Sequence, residues 1–450
     1  MADMGKIITI GAGTVGSHIS ELLQKEHREV VVVDLNRQNL ERISNRMDVQ
    51  TIVGHGADPA ILKAAGVEKA RLVLAMTNLD EVNLLAGFTA KRMGAHKCVV
   101  RSRSPWFLDS TLVNFPSGLG IDLILNPEEL LALEIIRFLD DPDALVLAQF
   151  ARGRVHVRSF ILDPDSRFAG KALRDCGLPA GALVAVIARG ADVIIPKGDA
   201  VLRAGDRLTI VGLPDRLRDV QRLFHAPSEP VRNVTIAGGG NTGLFLSRIL
   251  EKRDYNIKLI DANLDRCEYL SERLGRTQVL FGDATDIGFM KEERVGESDV
   301  AVGVMGDDEN NLMACLLAKE LGVPQTVVKV SRPDYASLVQ KFGVSLALSP
   351  RHVMAEKVLA LISLGRVQAV SILEEGRVEV IELVAEIGSP IAGRSLAEVS
   401  MPPGSLIGAV VHLGQTIIPS GQTRIESGDI VVVLGRSEVM DEVEKKFRGR

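Results

Sequence analysis

The chain lacks the features that mark membrane-spanning, metal-binding or disulfide-bonded proteins. No apolar run reaches the roughly 18 residues that would suggest a transmembrane helix, and the N-terminus enters a predicted strand with no room for a signal peptide. The eight histidines show no HExxH or HxxxH spacing, so no zinc site is predicted. The cysteines, which form no CxxC pair and are expected to be reduced thiols, are Cys98, Cys176, Cys267 and Cys315.

Catalytic and nucleic-acid-binding signals are also missing. The net charge of −5 argues against a general nucleic-acid binder, which usually presents a basic face. The sequence has no P-loop, and no Ser/Tyr/Lys, His/Asp or Cys/His arrangement that would serve a dehydrogenase. We therefore expect no catalytic residues, no metal and no nucleic-acid partner. With 450 residues, two or more domains are expected.

A glycine-rich turn near the N-terminus is the most informative stretch. The apolar run Lys6–Ile10 ends in a Gly-x-Gly-x-x-Gly turn from Gly11 to Gly16, a helical pattern follows, and the next apolar run closes with Asp34. This is the strand–turn–helix–strand–acid order of a dinucleotide-binding unit, in which the glycines let the backbone approach a pyrophosphate. The Asp34 carboxylate suits ribose hydroxyls and would repel a 2′-phosphate, which favours NAD(H) or an adenine nucleotide over NADP(H).

The same arrangement occurs a second time. Gly238 follows Gly11 by 227 residues, and Asp261 follows Asp34 by the same number, so the loop and the acid repeat in register. The helix after each loop offers N–H groups and the positive end of its dipole to phosphates. We predict a nucleotide-binding fold in each half; the alternative is a Rossmann-like fold whose pocket binds nothing.

Polar residues follow several strands of the first predicted sheet. Apolar runs and helical patterns alternate over residues 4–125, which predicts an α/β fold with a parallel sheet. Ligands of such sheets bind at the carboxyl ends of the strands. Thr77, Asn78 and Arg101 follow strands and should converge beside the glycine loop. We expect Thr77 and Asn78 to bond a sugar and Arg101 to meet a phosphate or ribose, a surface salt bridge being the alternative for Arg101.

The two copies differ at these three positions and at His55. Given as first copy and then second, the differences are Thr77 and Met305, Asn78 and Gly306, Arg101 and Lys329, and His55 and Asp283. The two pockets are therefore expected to differ in nucleotide preference. Asp283 is expected to accept a hydrogen bond from an adenine amino group or, as the alternative, to cap its own turn.

A small module follows each Rossmann unit. Ten of its positions repeat with a fixed offset of 223, among them Gly153 with Gly376 and Asp206 with Asp429, so the whole chain is a tandem duplication. Its short β-like runs predict a small α+β lobe.

Composition supplies the predicted boundaries. A break at 140–143 and a linker at 226–230 separate the parts. The predicted order is a Rossmann lobe (1–125), a crossover helix (126–143) and a small α+β lobe (144–228), then a second Rossmann lobe (231–348), crossover helix (349–365) and small lobe (366–450).

The crossover helices carry broad apolar faces. Asn126 is a plausible N-cap, and Pro127 fits the first helical position. Because the apolar face after Pro127 is too broad for one contact, we expect the helix to cross onto another domain or another chain; packing on its own sheet is the alternative.

Taken together, these residues resemble the TrkA family, the cytosolic regulatory subunits of Trk potassium uptake systems. The resemblance covers essentially all of the chain, and each half looks like an RCK domain (regulator of potassium conductance) with an N-terminal and a C-terminal lobe. The most specific elements are the two glycine loops with their acids, the run Gly282–Asp286 and the duplicated small lobes. A chain with two RCK units and no membrane segment is particularly similar to this family.

The resemblance implies a function and a set of site residues. It implies that NAD(H), and also ATP or ADP, binds in the Rossmann lobes. It further implies that a homotetrameric ring docks on the inner face of the cell membrane, as a peripheral cytoplasmic protein, and gates a membrane-embedded potassium transporter. The implied first site comprises Gly11, Ala12, Gly13, Thr14, Val15, Gly16, Asp34, Thr77, Asn78 and Arg101. The implied second site comprises Gly238, Gly239, Gly240, Asn241, Thr242, Gly243, Asp261, Asp283, Met305 and Lys329.

Two other functions are compatible with the same residues. One is a cytosolic NAD-dependent oxidoreductase with duplicated Rossmann folds, which turnover of NADH would reveal. The other is a nucleotide-sensing regulator of a different ion transporter. Co-purification with a membrane protein would separate the two.

Overall fold

The computed structural model describes residues 6–25, 28–108, 113–140, 145–151, 153–163, 166–190, 192–224, 230–332, 335, 338–339, 341–362, 367–373 and 377–449. Some predicted features lie outside these residues. They are the N-terminal residues 1–5, most of the predicted break and linker (141–143 and 226–229), the last part of the second crossover helix (363–365) and Gly376 of the small-lobe repeat.

The first Rossmann lobe is built around one parallel sheet. Its strands are β1 (Lys6–Ile10), β2 (Val30–Asp34), β3 (Gln50–Val53), β4 (Ala70–Ala75), β5 (Lys97–Arg101) and β6 (Leu123–Leu125). Its helices are α1 (Thr14–Lys25), α2 (Arg37–Ser44), α3 (Pro59–Ala64), α4 (Asp80–Arg92) and α5 (Phe115–Leu119). The strand order is β3-β2-β1-β4-β5-β6, and every neighbouring pair is parallel. All strands therefore end at one edge, with the order reversing between β1 and β4.

A helix and a small antiparallel lobe come next. The helix is α6 (Pro127–Asp140), and the strands are β7 (Leu145–Phe150), β8 (Val155–Ile161), β9 (Ala182–Arg189), β10 (Asp192–Ile194) and β11 (Arg207–Gly212), followed by α7 (Pro214–Phe224). The strand order is β10-β9-β11-β8-β7. Leu217 and Val220 of α7 pack with Leu208 and Ile210 in a fully buried cluster, so α7 covers one face of this sheet.

The second Rossmann lobe repeats the first. Its strands are β12 (Asn233–Ala237), β13 (Asn256–Asp261), β14 (Gln278–Phe281), β15 (Val300–Gly303), β16 (Gln325–Lys329) and β17 (Leu346–Leu348). Its helices include α8 (Asn241–Leu250), α9 (Leu264–Ser271), α10 (Ile287–Glu292) and α11 (Asp308–Glu320). The order β14-β13-β12-β15-β16-β17 matches that of the first sheet strand for strand.

The second crossover helix and small lobe complete the repeat. The helices are α12 (Pro350–Ile362) and α13 (Met440–Phe447), and the strands are β18 (Val367–Leu373), β19 (Val378–Val384), β20 (Arg394–Ser395), β21 (Ser405–His412), β22 (Gln415–Ile417), β23 (Arg424–Ile425) and β24 (Ile430–Arg436). The main sheet has the order β18-β19-β24-β21-β22, equivalent to that of the first small lobe. The predicted fold class, a duplicated Rossmann lobe plus small α+β lobe, is confirmed.

The chain forms two compact units, one holding both Rossmann lobes and the other both small lobes. In the first unit, α6 leaves its own lobe: its buried residues Leu131, Ile135 and Leu139 share one core cluster with Ile236 and Leu259 of the second Rossmann lobe. The prediction that this helix crosses onto another domain is confirmed. In the other direction, the His352 ring on α12 lies 6.3 Å from the His18 ring on α1.

In the second unit, the two small sheets share one apolar core. Val157 and Val211 of the first sheet join Val380, Ala409 and Val432 of the second in one buried cluster. Each small lobe keeps a separate cluster under its own helix, α7 or α13. The duplication therefore buries one face of each small sheet against the other copy.

Candidate functional site

The first glycine of each loop has a conformation that other residues rarely adopt. Gly11 has a φ of +100° and Gly238 a φ of +116°. A Cβ at Gly11 would lie 2.9 Å from the backbone nitrogen of Thr77, and one at Gly238 would lie 2.7 Å from that of Met305. Each loop therefore leaves its strand in a left-handed turn pressed against the next strand of the sheet.

The remaining loop glycines have two different roles. A Cβ at Gly16 or Gly243 would lie 1.9 or 2.1 Å from the carbonyl oxygen of the first glycine in its loop, so these two glycines permit helix packing. Around Gly13 and Gly240, in contrast, a Cβ would meet nothing within 4 Å. These two positions lie beside open space into which a pyrophosphate can approach the backbone.

Each predicted acid is held against its glycine loop. One Asp34 oxygen accepts from the Ala12 N–H at 2.5 Å and the other from Asn36 N–H at 2.6 Å. Asp261 accepts from Gly239 N–H at 2.7 Å and from Asn263 N–H at 2.9 Å. A carboxylate has about four acceptor sites, so both acids can also accept from ribose hydroxyls.

In the first lobe, the structure brings Thr77 and Arg101 together. The Arg101 guanidinium donates to the Thr77 carbonyl at 3.1 Å, and burial lowers its pKa. Asn78 is exposed. The fully buried Asn83 holds the pair: its Oδ1 accepts from Thr77 N–H at 2.8 Å and its Nδ2 donates to the Arg101 carbonyl at 3.0 Å.

In the second lobe, the corresponding residues line a crevice of about 420 Å³, a volume typical of small-molecule sites. From the predicted second site, the crevice is lined by Gly238, Gly240, Asn241, Thr242, Asp261, Asp283, Met305 and Lys329. Gly240 is the N-cap of α8, where no side chain caps the helix. The first N–H groups of α8 are therefore available to an anion.

Asn311 repeats the role of Asn83. It accepts from Met305 N–H at 2.6 Å and donates to the Lys329 carbonyl at 3.1 Å. The sequence prediction did not include this asparagine pair, although both residues stand at the same position of the repeat, 228 residues apart. A buried polar residue on a helix repeated in both copies is the signal that could have identified them.

Lys329 and Asp283 are the titratable residues of interest in this crevice. Burial lowers the pKa of Lys329, although Glu128 and Asp308 act in the opposite direction. Asp283 accepts from the Thr285 hydroxyl at 2.7 Å and from Thr285 N–H at 2.8 Å, which lowers its pKa. Asp283 therefore caps its own turn, while the predicted contact with an adenine amino group stays a prediction.

Two residues of the second crevice come from the first half of the chain. Arg103 follows β5 and Glu128 lies in the first turn of α6, yet both line the crevice of the second Rossmann lobe. They pair with each other, Nε to Oε1, at 2.8 Å. The sequence prediction missed them because each half was assigned only its own residues.

The structure also bears on metal sites, membrane-spanning helices and reactive thiols. Within the described residues, no group of three or more His, Cys, Asp and Glu side chains could hold a metal, and no helix has the length and apolarity to cross a bilayer. The four cysteines are buried and form no disulfide bonds in the structure described. Burial raises the pKa of Cys98 and of Cys315 to about 12, which disfavours reactive thiolates.

Family models match both halves of the chain. The TrkA-N domain matches residues 7–127 and 234–350, and the TrkA-C domain matches residues 157–225 and 380–448. These matches cover each Rossmann lobe and each small lobe in the order in which the structure arranges them.

Known proteins resemble the chain over almost all of its length. The Trk system potassium uptake protein TrkA homolog of Archaeoglobus fulgidus is 35% identical over 443 residues, which cover 98% of this chain and 100% of that protein. TrkA homolog 1 of Methanosarcina mazei is 34% identical over 452 residues, with 98% and 100% covered. Among solved structures, the GsuK channel bound to NAD has a TM-score of 0.59 at 18% identity, covering 98% of this chain and 79% of that chain. At that identity, the last comparison shows the fold alone.

Proposed function

Because the chain belongs to the TrkA family of Trk system potassium uptake proteins, we propose that it is a nucleotide-sensing regulatory subunit that gates a membrane-embedded potassium transporter of the Trk type. The observation that carries the sensing role is the second crevice, where Gly240, Asp261 and Lys329 surround a volume suited to a nucleotide. The equivalent loop and acid recur in the first lobe with the same backbone contacts.

The ligands we assign are NAD(H) and the adenine nucleotides ATP and ADP. The glycine loops and the α8 N-terminus suit the phosphates. Asp34 and Asp261 suit ribose hydroxyls and disfavour a 2′-phosphate. The GsuK channel bound to NAD, a structure of the same fold, is in keeping with a nucleotide ligand for this fold.

The proposed sensing step is a change in packing rather than a reaction. A nucleotide shifts the balance between two conformations only by its difference in affinity for them, and a coupling of about 1–3 kcal/mol is typical. The helices α6 and α12 are suited to transmit it, since α6 packs into the second lobe and His352 of α12 contacts His18 of the first. We assign no catalytic step to the protein.

The remaining parts of the proposal rest on family membership. We assign a homotetramer that binds peripherally to the cytoplasmic face of the cell membrane, next to its transporter. Complementation tests this part directly. A strain that lacks its own TrkA-type subunit should regain potassium uptake at low external potassium when it expresses this chain together with the cognate transporter. If the chain restored growth only together with an unrelated transporter, it would instead be the regulator of a different ion system.

The nucleotide assignment has its own experiment. Mass spectrometry of ligands released from the purified chain by denaturation should detect NAD or an adenine nucleotide, and calorimetry should show that NAD and ATP bind. Steady oxidation of NADH with a metabolite panel would contradict a purely regulatory role. Failure of both ligands to bind would contradict the sensing role itself.

A further inference from the structure

The second crevice is lined in part by a charged pair that its own lobe does not supply. Arg103 and Glu128 belong to the first half, and the bond between them uses Nε of Arg103. The Arg103 side chain is 56% exposed, while that of Glu128 is 15% exposed. Within the described part of the chain, the second oxygen of Glu128 is buried without a hydrogen-bond partner.

The backbone of Arg103 is fixed between the two halves. Its N–H donates to the Asp80 carboxylate at 2.9 Å. Its carbonyl accepts from Asn126 Nδ2 at 3.1 Å and from Asn241 Nδ2 at 3.5 Å. Asn126 also accepts from the Glu128 N–H at 2.9 Å. Arg103 therefore sits between the N-terminus of α6, which carries Glu128, and that of α8, whose N–H groups line the crevice.

Arg103, Glu128 and Lys329 all line this crevice, together with Asp261 and Asp283. Burial and the charge of Arg103 lower the pKa of Lys329, whereas the charges of Glu128 and Asp308 raise it. Arg103 and Lys329 thus add two cations to the crevice beside the uncapped start of α8. A compact group with more negative charge than one carboxylate would be favoured at this place.

We propose that Arg103 binds the outer phosphates of a nucleoside triphosphate in the second crevice. In the absence of those phosphates, Glu128 forms the ion pair with Arg103. This rests on the proposed function, because it assumes that the crevice holds a nucleotide. The two phosphates of NAD are both internal esters with one charge each, so NAD has no terminal phosphate that replaces Glu128. The pair thereby distinguishes a triphosphate from a dinucleotide.

The pair also connects the second crevice to the first half. When a phosphate binds Arg103, Glu128 loses its ion pair with that residue. Glu128 lies at the start of α6, whose apolar face packs on the second lobe. The internal repeat does not provide the same pair in the other half of the chain. The residue equivalent to Arg103 is Ser331 and the one equivalent to Glu128 is Arg351.

Two substitutions with opposite expected effects test this. The full-length chain and its R103Q and E128Q variants are titrated with ATP and with NAD by calorimetry. R103Q should weaken ATP binding at one class of site by about tenfold or more, the range of a charge-assisted hydrogen bond, and leave NAD binding unchanged. E128Q should tighten ATP binding, because the competing carboxylate and its repulsion of phosphate are both removed.

The control and the contrary outcomes separate this inference from the proposed function. R216Q is the matched control, since the Arg216 side chain is 55% exposed and pairs with Asp219 in the first small lobe; it should bind both ligands like the wild type. Unchanged ATP affinity in R103Q, in a protein that binds ATP, would overturn the role of Arg103 and leave the proposed function intact. If R103Q does not fold, E128Q decides alone, and unchanged or weaker ATP binding would overturn the proposal. A wild type that binds neither ATP nor NAD would refute the proposed function instead.

Discussion

The two Rossmann lobes have the same backbone and different chemistry. Their sheets share one strand order, and their acids make the same two backbone contacts. The side chains at the rim differ: Thr77 and Arg101 in the first lobe stand where Met305 and Lys329 stand in the second. The two halves thus share the loops and acids that we propose bind any nucleotide, and they differ at residues that we propose distinguish one nucleotide from another.

The small lobes show the same division between a shared frame and a changed contact. Arg189 binds the buried Asp206 through two nitrogens, each at 2.7 Å. At the equivalent place 223 residues later, His412 Nδ1 lies 2.7 Å from the buried Asp429. Both aspartates also accept a backbone N–H three residues before them, from Arg203 and Glu426. The carboxylate is kept as a turn-forming residue, while the basic side chain that pairs with it differs.

The largest effect is expected where the two lobes are most alike. G243A should destabilise the second Rossmann lobe by about 3 kcal/mol or more, because the new methyl would lie 2.1 Å from a backbone oxygen. Its matched control, G240A, places a methyl in open space, so the thermal midpoint should not change while nucleotide binding weakens. The same pair in the first lobe is G16A and G13A. Equal midpoints for G243A and G240A would contradict the loop geometry.

The next largest effect is expected from exchanging the basic residues that pair with Asp206 and Asp429 in the two small lobes. R189H should cost about 2 kcal/mol at pH 8, because an ordinary imidazole with a pKa near 6.5 is neutral there and Asp206 is only 1% exposed. The loss should be smaller at pH 5.5, where the imidazole is charged. The reciprocal H412R should stabilise the second small lobe at pH 8. Thermal unfolding at both pH values measures each change, and a pH-independent loss in R189H would contradict the ion-pair explanation.

Acid unfolding tests the same contact from the carboxylate side. Burial alone would raise the pKa of Asp206, but hydrogen bonds from Arg189 and the Arg203 N–H, with the charges of both arginines, lower it overall. A folded pKa below the unfolded value of 3.8 means that this stabilisation is present above that value and is lost as the pH falls through the folded pKa. The wild type should therefore lose stability more steeply below pH 4 than R189Q does; parallel curves would contradict this.

The smallest effect comes from exchanging a rim residue between the lobes. The Thr77 hydroxyl lies 2.7 Å from Asn83 Oδ1, and Met305 lacks such a group. The threonine hydroxyl of M305T would offer the equivalent hydrogen bond to Asn311. That bond should raise the free energy of unfolding by about 1 kcal/mol. Nucleotide preference of the second crevice should shift toward that of the first, as measured by competitive binding of NAD and ATP. Identical nucleotide preferences in M305T and the wild type would show that Met305 does not contribute to the difference between the two lobes.

The sequence predicts the parts of the sites that depend on local order. The glycine loops, Asp34 and Asp261 follow their strands directly, and a parallel sheet brings strand ends to one edge. The strand β3 lacks a sequence signal, because Gln50–Val53 is half-exposed and forms no apolar run. Arg103 and Glu128 were missed for a different reason: their place in the second crevice depends on α6 packing across the two lobes, which no spacing within one half encodes.

Calorimetric titration of D34A and D261A with NAD and with ATP tests the central claim most directly. If two non-equivalent crevices bind nucleotides through these carboxylates, the wild type should show two classes of site. Each variant should then lose or weaken a different class, and only the class lost in D261A should respond to R103Q. Unchanged affinity for both ligands in both variants, or no binding to the wild type, would contradict the account.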